Sequence, residues 1–235
     1  MVENVRPFLT KHAVRKAGRR IAARRIIDAT RDPDPLQNVH DTALFVLETF
    51  MGREWVTKRV FPECSSFLTP GLTGVAFNPG EAVMRVIELA EALFHFQFTP
   101  GFDSIIRRIR NDSLEPEMAA LLVAKMLYIN GRVFRFVEPK AQAKQDYDLE
   151  ITYSDSLIAC EVKCKLESTK ISHETVLRTL KKAANKQLPA DVSTLIFVHL
   201  PPNWTSSLDW DDLFDSSANE LFRDRARVNA VFAVS

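Results

Sequence analysis

Two charged residues set into an apolar run, Glu161 and Lys163 in "IACEVKCKLE" (158–167), are where this chain could do chemistry. Side chains alternate along a strand, so Cys160, Val162 and Cys164 share one face while Glu161, Lys163 and Lys165 share the other. A charge buried there without a partner would be costly. The preceding run "QDYDLEI" (145–151) puts Asp146, Asp148 and Glu150 on one face by the same period. A tight hairpin between the two runs would bring one of these carboxylates beside Glu161. Carboxylates that converge repel unless a cation lies between them, and all-oxygen ligation suits Mg²⁺ or Mn²⁺. A lysine beside such an ion can stabilise charge building up on a phosphoryl group or help orient an attacking water. The outline is that of phosphodiester hydrolysis. The plain alternative is a strand with one solvated face. A second Glu-x-Lys, at Glu138 and Lys140, has Pro139 between them and cannot lie mid-strand.

The elements that must hold these residues can be read from periodicity and punctuation. Apolar positions Ala13, Val14, Ala17, Ile21, Ala22 and Ile26 predict a basic amphipathic helix over 11–29, stopped by "DPDP" at 32–35. Further helices are expected over 39–51, from Pro79 through "GEAVMRVIELAEALFHF", and over "DSIIRRIR" (103–110). The segment 60–78 reads as irregular. Region 1–110 is therefore expected to be a mostly helical unit. From 111 onward the character changes. "SLEPEMAALLVAKMLYING" (113–131) is a helix with Ser113 as N-cap and Gly131 placed just past its end. Strand-like "RVFRFVEP", "YDLEITYS" and "LIACEVKCKL" follow, the last two separated by the turn signal "SDS". The helix "ETVLRTLKKAANKQL", the strand "STLIFVHL", a helix near 211–222 and the strand "RVNAVFAVS" complete region 111–235.

With these residues in this order, the run "PEMAALLVAKMLYINGRVFRFVEP…DYDLEI…LIACEVKCK" resembles the PD-(D/E)XK nuclease superfamily, the restriction-endonuclease-like fold. The resemblance covers about residues 111–202. It implies an α/β (α+β) fold with an αβββαβ core, a helix–strand extension behind it and a mostly helical N-terminal region before it. It also implies an endonuclease dependent on Mg²⁺ or Mn²⁺, with DNA favoured over RNA. Residue by residue, Asp148 resembles the motif aspartate, Glu161 the second acid, Lys163 the lysine and Glu117 the helix acid. The Val162 backbone carbonyl would join Asp148, Glu161 and Glu117 around the metal. Tyr147 stands where the motif has proline, Asp146 competes with Asp148, and Glu115 competes with Glu117. The same likeness places the helix carrying Lys182, Lys186 and Gln187 beside the site, where these residues and Lys165 could meet phosphates. The superfamily also has inactive members, so a noncatalytic nucleic-acid-binding or assembly module is the alternative.

Charge narrows the partners. The net charge of +1 conceals a basic start, with Arg15, Arg19, Arg20, Arg24 and Arg25 among nine cations against Glu3 and Asp28, and an acidic segment after Pro202. Arg19, Arg20 and Arg24 are candidates for nonspecific contact with a nucleic-acid backbone. The same helical region is where a second copy or a protein partner would dock. Cys64, Cys160 and Cys164 follow no disulfide or zinc spacing, and Cys160 and Cys164 are expected to be buried and structural. No apolar run reaches the ~18 residues of a membrane span. A cytoplasmic protein without a membrane role is the expectation. Neither a phosphate-cradling glycine loop nor a serine-nucleophile elbow is present.

Overall fold

The computed structural model describes residues 8–28, 35–60, 68, 79–111, 114–139, 146–165, 169–189, 191–201, 204, 209–224 and 228–234, with backbone alone at 21–28 and 79. Ser113 and Cys64 lie outside the described residues, as does the side chain of Arg24. The chain divides into two compact units, 1–98 and 99–235.

The first unit is helical: α1 (Lys11–Asp28), α2 (Pro35–Met51), α3 (Arg53–Val60) and α4 (Pro79–Phe96). Pro35 and Pro79 open their helices, where a missing N–H costs nothing. Helix α2 buries Ala43, Val46, Leu47 and Phe50, a stripe at three- and four-residue spacing, and packs on α1 and α4. Phe96 is fully buried, so core packing accounts for it. The side chain of Gln97 donates to the Leu9 carbonyl and accepts from the Leu9 N–H, each at 3.0 Å, fastening the segment before α1 to the end of α4.

The second unit is mixed α/β. In order it contains α5 (Phe102–Asn111), α6 (Leu114–Ile129), β1 (Val133–Phe136), β2 (Leu149–Tyr153), β3 (Ser156–Cys164), α7 (His173–Lys182), β4 (Ser193–His199), α8 (Trp210–Asp224) and β5 (Val228–Val234). One five-stranded sheet runs β1-β2-β3-β4-β5, antiparallel as far as β3 and parallel from β3 to β5. Helix α5, expected within region 1–110, packs against α6 and β1, so it belongs to the second unit. Its fully buried Phe102, Ile105 and Ile109 are the reason. Gly101 precedes it at φ 82°, and a Cβ there would lie 2.0 Å from the Phe136 carbonyl oxygen. Only glycine fits that approach.

Local chemistry sets the boundaries. Gly131 adopts φ 64° and ends α6: its N–H reaches the Tyr128 carbonyl and the Arg132 N–H reaches Leu127, the paired bonds of a left-handed helix stop. Ser154 and Asp155 both take positive φ, which gives the two-residue turn between β2 and β3 the twist those strands require. The Ser172 side chain caps α7 by accepting from Thr175 N–H. A π-turn at Ala183–Gln187 extends α7. Leu180, Ile196, Val198, Trp204 and Leu221 form a buried cluster among α7, α8 and β4. Truncating Leu180 or Ile196 to alanine would cost about 2–5 kcal/mol. Among the described residues no helix is long and apolar enough to cross a membrane.

Candidate active site

The end of β3 outruns its neighbour, and that overhang creates the site. Leu149 is the register partner of Cys160, yet the Asp148 N–H also donates to the Cys160 carbonyl, at 3.1 Å. Asp148 lies just before β2, so this bond carries the pairing one residue past the strand end. Beyond it, β2 no longer covers β3. The Asp148 carboxylate fills the gap, its Oδ2 accepting from the Val162 N–H at 2.8 Å. In an extended strand the N–H and C=O of one residue point to the same side, so the Val162 carbonyl faces the Asp148 side as well.

Glu161 is buried, with 1% of its surface exposed. Lys163 donates to its Oε1, while its Oε2 is buried with no partner among the described residues. From the other direction, the Arg108 Nε donates to Glu117 Oε1 at 2.8 Å. Arg108 also reaches Ser104 Oγ and the Val137 carbonyl. Glu117 Oε2 is again buried without a partner among the described residues. Among the described residues, each glutamate therefore has one oxygen held by a side-chain cation and one without a hydrogen-bond donor.

The electrostatics tie these pairs into one cluster. Burial pushes the Asp148 carboxyl up to about 6, and Glu117 adds to the rise; the Val162 N–H, Lys163 and Arg108 oppose it. Burial also holds the Glu161 carboxyl well above its ordinary range, reinforced by Asp148 and less by Asp146, with Lys163 opposing. The raised acids reflect desolvation and like charge together. Between the competing residues, Asp148 makes the bond to β3, and the charge of Asp146 acts on Glu161. Glu117 faces Asp148, whereas Glu115 acts on the Cys164 thiol.

The other predicted residues divide. Lys165, Lys182 and Lys186 line one open cleft along α7, together with Arg178. Gln187 is half-buried on the π-turn and does not line that cleft. Arg19 and Arg20 are exposed on α1 in the first unit. Cys160 is buried as expected, but Cys164 is only half-buried, because β3 there runs toward its open end. The Cys164 Sγ stands 4.0 Å from His199 Nδ1. Sequence reasoning passed over Arg108 and Arg178. Arg108 was signalled by helical spacing: it follows Ser104 by four residues and Ile105 by three, at the margin of the buried stripe of α5.

Among the described residues no group of three or more His, Cys, Asp or Glu side chains is gathered tightly enough to hold a metal ion. Glu117 gives one oxygen to Arg108, Glu161 gives one to Lys163, and Asp148 gives one to the Val162 N–H. Comparison of the chain with protein-family models, with curated proteins and with solved structures finds no match.

Proposed function

We propose that the second unit is a metal-dependent nuclease domain that hydrolyses phosphodiester bonds in DNA, built on a restriction-endonuclease-like core. The observation that carries the reading is the buried Oε2 of Glu161, unpartnered among the described residues, beside Asp148 at the end of β3. A buried carboxylate oxygen without a donor is costly unless a ligand completes it. Carboxylate and carbonyl oxygens are the donors that Mg²⁺ and Mn²⁺ prefer, so the residues present fit such an ion. The element order α6, β1–β3, α7, β4 supports the core, with α8 and β5 as its extension.

Asp148, Glu161 and the Val162 carbonyl are the groups that would hold the ion. When bound, it supplies positive charge for the negative charge that develops on the phosphoryl oxygens. Lys163 stands on the same face as Glu161; its ammonium donates toward the reacting phosphate and orients the attacking water. Glu117 assists from the helix side, paired with Arg108, and raises the proton affinity of Asp148. Exposed Arg19 and Arg20 of the first unit add nonspecific grip on a nucleic-acid backbone.

The same ion pairs favour a second reading. Lys163 on Glu161 and Arg108 on Glu117 neutralise the acids from within, as in a nuclease-like module that binds without cutting. Incubation of plasmid, single-stranded DNA and RNA with Mg²⁺ or Mn²⁺ separates the two. Cleavage of DNA that is lost in both Asp148→Ala and Lys163→Ala supports the nuclease. Cleavage that survives both substitutions removes the site, and binding without cleavage of any substrate supports the module.

A further inference from the structure

A cleft of about 860 Å³ opens along α7, and its lining is dominated by cations. Lys181 is already engaged, 3.0 Å from Glu220 and 3.4 Å from Asp224. Lys165, Arg178, Lys182 and Lys186 have no ion pair among the described residues. Glu174 also lines the cleft, but it pairs with none of them. Arg178 and Lys182 are four residues apart and share one helix face. They face Lys165, whose amine is held below its ordinary range by burial, then by Arg178, Lys163 and Lys182. Four cations that repel one another in a shared cleft, against Glu174 as the one acid of its described lining, define a seat for an anion.

The placement of Lys165 fixes which anion. Its N–H donates to the His199 carbonyl at 3.0 Å, which continues the ladder of β3 beyond Cys164 and keeps Lys165 on the face of Lys163. Two residues of an extended strand span about 6.6 Å, comparable with the spacing of consecutive phosphates along one nucleic-acid strand. We propose that Lys165, Arg178 and Lys182 seat the phosphate next to the one cut at Asp148, Glu161 and Lys163, so that the substrate is a polynucleotide strand gripped on one side of the cleavage point. The proposal rests on the nuclease reading for the identity of the neighbouring phosphate. Lys186, further along the cleft, extends the track.

The test is binding of a fluorescently labelled single-stranded DNA oligonucleotide to the full chain in EDTA, followed across a salt series, so that cleavage plays no part. Each phosphate contact on a single strand contributes a log–log salt slope of about 0.7. The double variant Arg178→Ala/Lys182→Ala is expected to flatten the slope by roughly 1.4 and weaken binding. Arg178→Lys should keep the slope, and Lys182→Glu should weaken binding further than Lys182→Ala. Both side chains are exposed, so thermal unfolding should be unchanged in each variant. An unaltered slope and affinity in the double variant and in Lys182→Glu overturns the proposal. Displacement of the oligonucleotide by inorganic phosphate as readily as by unlabelled oligonucleotide overturns it too, since the cleft would then be a general anion site. A flattened slope in a chain that cuts nothing would remove the hydrolase and leave the subsite standing; cleavage with an unaltered slope does the reverse.

Discussion

Glu150 and Glu161 are diagonal neighbours on one face of the same sheet, and both are buried, yet they live opposite electrostatic lives. Arg135 grips both oxygens of Glu150, at 2.6 and 2.9 Å, and Tyr147 Oη donates a third bond at 2.9 Å. Those donors hold the Glu150 carboxyl below its ordinary range. Among the described residues Glu161 has a single ammonium on one oxygen and nothing on the other, and its carboxyl is raised. Strand position and burial are nearly shared, so the supply of donors is what separates them. Glu150 is a completed structural pair that closes the β1–β2 end of the sheet; Glu161 is an incomplete one. The difference is the reason to look for a ligand at the end of β3 and not around Arg135.

The largest effect that would break this comparison is on cleavage. Asp148→Ala or Lys163→Ala should lower kcat on DNA by about 10²–10⁴-fold, whereas Arg135→Ala should leave it within a few-fold; equal losses at both ends would erase the distinction. On stability the ends should reverse. Arg135→Ala strips two donors from a buried carboxylate and should cost about 1–3 kcal/mol in urea unfolding, a figure reduced because Arg135 is more than half exposed. Asp148→Asn should instead stabilise the metal-free chain by on the order of 1–2 kcal/mol at pH 7. The sign follows from its raised carboxyl: between an ordinary value of 3.8 and about 6 the folded chain holds the proton more tightly, so stability falls as pH rises through that window. The aspartate's contribution to that fall should vanish in Asp148→Asn. Glu150 works the other way, its stabilisation present at neutral pH and lost on acidification. Smallest is Tyr147→Phe, which removes one of three bonds to Glu150 and should cost about 0.5–1.5 kcal/mol by chemical denaturation, with no change in cleavage.

Much of the second unit was legible because its signals are local. Two-residue alternation marked β2 and β3, Gly131 marked the end of α6, and "SDS" marked the turn. Helix α3 was not legible: "REWVTKRV" is short and mostly polar, and it buries only Val56 and Val60, too few to set a period. The choice among Asp146, Asp148 and Glu150 was equally closed to periodicity, which puts all three on one face. What sets Asp148 apart is its side-chain bond to the β3 backbone, which has no sequence signature. Helical spacing put Arg108 at the margin of the buried stripe of α5, but its pairing was hidden, since Glu117 lies on the next helix and the bond depends on how α5 packs. The half-exposure of Cys164 likewise depends on where the neighbouring strand stops.

The central claim is that Asp148 and Glu161 form one divalent-cation site at the end of β3. Calorimetric titration of Mn²⁺ into the full chain, Asp148→Asn and Glu161→Gln tests it without reference to any substrate. Saturable binding to the unaltered chain is expected, weakened by about tenfold or more in each variant. Equal affinity in all three, or no saturable binding to the unaltered chain, would contradict it.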